Sequence, residues 1–140
     1  MNKERLKKLI YDLDVTDSDI NKSIRLIKKY SDDVEIIEEL FNSLKYKYLS
    51  LFIVYEDFIS MLLKEYNLYE IAMSVDKAIK KLKDKNYITE EQYSFLNSAR
   101  LIRNRIGHRY KQPPIEVLIE FLEVNNDIKN KFNEFIKSFK

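Results

Sequence analysis

Among its 140 residues the chain has no cysteine, no tryptophan, one glycine, two prolines and a single histidine. Each scarcity excludes something. Without cysteine there is no disulfide framework, no thiol nucleophile and no thiolate metal site. One histidine cannot build a histidine-based zinc centre, so neither a metal nor any other cofactor is expected. With so few glycines and prolines, turns must be scarce and helices long. No stretch approaches 18 uninterrupted apolar residues, and the opening MNKERLKKLIYDLD is charged from its third residue on. Hence no membrane partner is expected, and the chain reads as soluble and cytoplasmic.

What is present is a mixture of 45% apolar and 34% charged residues with a formal net charge of only +2. The length suits one domain, residues 1–140. Apolar residues recur in steps of three and four, which predicts an all-α antiparallel helical bundle of four to five helices. Leu6, Leu9, Ile10, Leu13, Ile20, Ile24 and Ile27 mark a first helix, with Thr16, Asp17 and Ser18 expected to interrupt it. Ile37 through Leu63 carry the strongest periodicity and predict a helix over 32–65. Asn67 is read as a break, followed by a helix over Tyr69 to Lys83. Thr89 with Gln92 has the spacing of a capping box and opens a fourth helix. A last helix follows Pro113 and Pro114. The ten Tyr and eight Phe mostly fall on these apolar stripes and are read as core.

The rare residues gather in one octapeptide, RNRIGHRY, residues 103–110, which holds the only glycine and the only histidine. From Gln92 to Ile115 there is no carboxylate, while Arg100, Arg103, Arg105, Arg109 and Lys111 give a local charge of +5. Two readings stay open at this point. One is a solvated basic face that complements the carbonyl end of a helix; the other is a site for a phosphate or another anion. In an unbroken helix His108 would stand about 140° from Arg103. Gly107 is therefore expected to end the helix in a left-handed conformation, placing His108 to Tyr110 in a loop where guanidinium, imidazole and phenol converge. The chemistry those groups suit is RNA phosphodiester cleavage without a metal. Imidazole moves protons near neutral pH, and arginine stabilises charge on the phosphorane. One histidine cannot readily serve as both base and acid, so a twofold homodimer supplying two copies is expected.

Arg103, four residues, His108, one residue and Tyr110 form R-x4-H-x-Y, which resembles the signature of the HEPN superfamily of metal-independent ribonucleases. More narrowly, NYITEEQYSFLNSARLIRNRIGHRY, Asn86 to Tyr110, is similar to the HepT-type toxin segment. The resemblance implies a HEPN-like bundle and an endoribonuclease toxin with Arg103 and His108 as catalytic residues. It also implies RNA as substrate and a minimal nucleotidyltransferase antitoxin as partner, which silences the toxin by AMPylation of Tyr110. Asn104, Arg105, Arg100 and Arg109 are the expected substrate-binding residues, and Asp57 is the expected orienting acid on the second helix. Gly107 departs from the bulky aliphatic often found before the motif histidine. The alternative is a non-catalytic HEPN module that binds a nucleotidyltransferase or nucleotide.

Overall fold

A computed structural model describes all 140 residues. The chain is entirely helical, in the order α1 (Lys3–Lys29), α2 (Val34–Glu65), α3 (Val75–Asp84), α4 (Glu90–Ile106), α5 (Ile115–Val124) and α6 (Asn126–Lys137). That makes six helices where four to five were expected. The last predicted helix is divided at Asn125, whose side-chain amide donates to the Phe121 carbonyl at 2.9 Å and so competes with the helical ladder. No helix is long and apolar enough to cross a membrane.

Two other expectations need correction. α1 runs unbroken through Thr16–Ser18, because Leu13 and Ile20, two turns apart and fully buried, keep one seam packed across that stretch. Burial along this seam overrides the weak helix preference of three polar residues. α3 begins at Val75 and not at Tyr69. Asn67 (φ 57°) and Ala72 (φ 60°) both adopt left-handed backbone and turn the chain twice before a helix can start.

The ends of α2 and α3 are closed in the same way. After α2 the amide of Leu68 donates to Leu63 and that of Asn67 to Lys64; after α3 the amide of Tyr87 donates to Leu82 and that of Asn86 to Lys83. Both are Schellman caps with asparagine in the left-handed position usually given to glycine. Tyr66 and Tyr87, one from each cap, stack face to face with ring centroids 3.6 Å apart. The capping box at Thr89 and Gln92 forms as expected, with bonds of 3.0 and 2.8 Å.

The core lies between α2 and the remaining helices. Tyr55 sits fully buried at its centre, edge-on to Phe95 and Phe132, and donates its hydroxyl to Asn133 Oδ1 at 2.7 Å. Tyr48 donates to the Ala99 carbonyl at 2.7 Å, which ties α2 to the middle of α4. Burial pushes both phenols far up from their ordinary range. Every Phe is buried or half-buried, but Tyr11, Tyr30, Tyr46, Tyr69, Tyr87 and Tyr110 are exposed, so the core reading holds for phenylalanine and only in part for tyrosine. One charge is buried as well: Lys129 on α6 pairs with Asp17 on α1.

Candidate functional site

α4 delivers the octapeptide. Its buried residues Phe95, Leu96, Ala99 and Ile106 fix the rotation of the helix against the core, which leaves Arg103, Asn104 and Arg105 exposed in its last turn, Arg103 toward α2. Gly107 is not left-handed: at φ −72° and ψ −8° it simply continues the right-handed turn. Its amide donates to Arg103, that of His108 donates to Arg105, and the chain then turns between His108 and Lys111. The helix thus runs out gradually, and the reversal is completed by a side chain.

That side chain is Gln112. Its amide nitrogen donates to the carbonyl of Ile106 at 2.5 Å, which the end of α4 leaves open, and also reaches those of His108 at 3.1 Å and Arg105 at 3.4 Å, which already accept from backbone amides. Its Oε1 accepts from Lys45 on α2 at 3.2 Å. Arg105 adds a strut, with Nε donating to the Lys111 carbonyl at 3.4 Å. The loop is exposed yet fastened to two helices. Pro113, buried, and Pro114, the cap of α5, then carry the chain away.

The motif residues form two groups. In the first, His108 and Tyr110 stand edge to face with ring centroids 6.4 Å apart, and the Arg109 guanidinium lies 5.9 Å from the Tyr110 ring. The Tyr110 amide donates to His108 Nδ1 at 3.4 Å. A neutral imidazole so held carries its proton on Nε2; abstraction of a proton through Nδ1 requires that long contact to open. The Tyr110 side chain is 85% exposed, which leaves its hydroxyl accessible to a modifying enzyme.

The second group lies on the side of α4 that faces α2 and α3. Arg103 approaches Asn104 Oδ1 at 3.5 Å and pairs with Glu56 on α2 at 3.7 Å. Arg100, one turn earlier, donates to Asn97 at 2.8 Å, and its charge contributes to lowering the carboxyl pKa of Asp76 on α3, where the Ser74 hydroxyl is the main cause. No hydrogen bond, ion pair or ring contact joins Arg103 to His108 or Tyr110, so the expected convergence of all three is not made within one chain.

The carboxylate that meets the motif is Glu56, which corrects the expectation for Asp57. On α2 the buried residues from Tyr48 to Leu62 centre on Tyr55. Asp57, two residues on, points about 160° from that centre, while Glu56 points about 100° away, at the edge of the stripe. Asp57 is exposed and makes no ion pair. Glu56 Oε1 is covered from solvent and has no hydrogen bond. Burial raises its pKa, Arg103 pulls it back and Asp57 adds to the rise. Sequence reasoning missed Gln112, Lys45 and Glu56. For Glu56 the helical wheel held the signal; for Gln112 and Lys45, 67 positions apart, nothing local did.

Compared with known proteins, the chain matches no family, no characterised protein and no solved structure.

Proposed function

We propose that the chain is a metal-independent endoribonuclease of the HEPN type, acting as the toxin of a toxin–antitoxin pair. The observation that carries this reading is the complete R-x4-H-x-Y set, its arginine on the exposed last turn of α4 and its histidine and tyrosine on the fastened loop that follows, inside a segment with no carboxylate. Arg103 holds the scissile phosphate and stabilises the phosphorane. One imidazole takes the proton of the 2′-hydroxyl, whose oxygen attacks phosphorus. A second imidazole protonates the departing 5′-oxygen, leaving a 2′,3′-cyclic phosphate and a free 5′-hydroxyl. His108 of each copy in a homodimer supplies the two roles, and the same pairing brings an arginine of one chain to the histidine of the other. Asn104, Arg105 and Arg109 line the approach of the RNA backbone, with Arg100 set one turn further back.

Tyr110 is the regulatory residue. A minimal nucleotidyltransferase antitoxin that transfers AMP from ATP to its exposed hydroxyl, with pyrophosphate leaving and the phenol proton lost, adds bulk and a negative phosphodiester next to His108 and Arg109, where an RNA phosphate would be excluded. The second reading, a non-catalytic HEPN module that binds the nucleotidyltransferase, draws on the Arg103–Glu56 pair, which engages the arginine without any contact to His108.

The deciding experiment is cleavage of total tRNA and of a mixed-sequence RNA in EDTA, by wild type and His108→Ala, with intact-mass analysis of both samples. Wild type is expected to leave 2′,3′-cyclic phosphate ends, and the variant to lose about 10²-fold or more. Equal cleavage by both removes the catalytic assignment. No cleavage by protein free of AMP favours the binding module.

A further inference from the structure

A large cavity lies away from the motif arginines, where the end of α1, the start of α2 and the whole of α5 meet. It is an open groove of about 580 Å³ whose floor is Ile27, Ile37, Ile115 and Ile119. One wall is a line of carboxylates on α5, Glu116, Glu120 and Glu123, at spacings of four and three. Glu123 is neutralised across the groove by Lys28 at 2.7 Å; Glu116 and Glu120 are exposed and form no ion pair. The adjoining first turns of α2 add Glu35, Glu38 and Glu39, also exposed and unpaired. Apolar surface continues at the rim in Val124, which is 74% exposed.

We propose that this groove docks a cationic amphipathic helix of a partner protein. Two or three apolar side chains on one face of such a helix fill the isoleucine floor, and lysines or arginines on its flank meet Glu116 and Glu120. The charge of the rim selects among occupants. Nucleic acid and anionic membranes are repelled by it. Pairing of two copies through this face would bring together two rims on which Glu116 and Glu120 are not neutralised, and like-charge repulsion opposes that. α5 begins three residues after Gln112, so the docked helix would rest on the element that receives the motif loop. The inference stands on the groove alone and does not require ribonuclease activity.

The test uses the full chain with two fluorescent helical peptides, one built from leucine and lysine with the leucines on a single face, the other with every lysine replaced by glutamate. The lysine peptide is expected to bind, to shift the methyl resonances of Ile27, Ile37, Ile115 and Ile119, and to lose affinity as salt rises. The double variant Glu116→Lys, Glu120→Lys, with circular dichroism to confirm its helix content, is expected to weaken binding about tenfold or more. Shifts confined to other surfaces, equal binding of the glutamate peptide, or unchanged affinity of the double variant each overturn the proposal. So does a wild-type dimer in sedimentation that Ile119→Lys dissolves, since a second copy would then be the occupant.

Discussion

Glu56 Oε1 on α2 lies 3.7 Å from the guanidinium of Arg103 on α4, covered from water and without a hydrogen bond of its own. Burial raises the carboxyl pKa from its ordinary 4.5 by more than the arginine lowers it. A carboxyl whose pKa is raised by folding binds its proton more tightly in the native state, so its contribution to stability is greatest below the ordinary value and declines as pH rises through the raised one. Glu56→Gln carries no charge at any pH. Its melting temperature relative to wild type is therefore expected to climb between acid and neutral solution. Paired thermal melts across that range check this; a flat difference would mean that Arg103 cancels the burial, and a falling one that it outweighs it.

Gln112→Ala removes the amide that donates to Ile106 and His108 and comes near Arg105 at the end of α4, together with the anchor for Lys45. The side chain is exposed, so the global cost is expected to be about 1 kcal/mol. The local effect is larger: amide exchange at His108 and Lys111 should accelerate, while exchange in the middle of α4 stays unchanged. Uniform acceleration along the helix would show that Gln112 stabilises α4 generally and does not hold the loop.

Gly107 has ordinary helical angles, and a Cβ added there meets only the carbonyls of Arg103 and Asn104, at 3.6 and 3.8 Å. Gly107→Ala is expected to raise stability by ~0.4–1 kcal/mol through the unfolded chain's lost freedom, leaving the loop and any RNA cleavage intact. Loss of stability on denaturant titration would contradict the right-handed geometry.

The buried pair of Lys129 and Asp17 makes an asymmetric prediction. Asp17→Asn strands an ammonium that is only 3% exposed and is expected to cost about 2–3 kcal/mol. Lys129→Met leaves a carboxylate that is 23% exposed and can hydrate, so its cost should stay near ~1 kcal/mol. Urea titrations of the two variants give the comparison, and equal losses would refute it.

Much of this architecture was readable in the chain. The stripe on α2, the break at Asn67, the capping box at Thr89 and the restart after the proline pair all depend on neighbours within a few turns. Misreadings arose where distant contacts decide. α1 stays whole because Leu13 and Ile20 are buried, and α5 parts from α6 where Asn125 turns back on Phe121. The site divides likewise. The octapeptide announces itself by composition, but the use of its lone glycine as an ordinary helical residue does not, nor does its fastening by Lys45 and Gln112 from 67 positions apart.

The stacked pair Tyr66 and Tyr87 gives the molecule an optical reporter. With no tryptophan in the chain, near-ultraviolet absorption comes chiefly from its tyrosines, and five of the ten, Tyr11, Tyr30, Tyr46, Tyr69 and Tyr110, are exposed and outside the stacked pair, where solvent averages their environment. Two rings held parallel at 3.6 Å form a rigid chiral pair instead. Together with the buried Tyr48 and Tyr55, this pair makes the tyrosine circular dichroism band a reporter of fixed packing, with the share lost in Tyr87→Phe belonging to the docked caps; loss of the band while the far-ultraviolet signal persists would mark a state with intact helices and loosened packing.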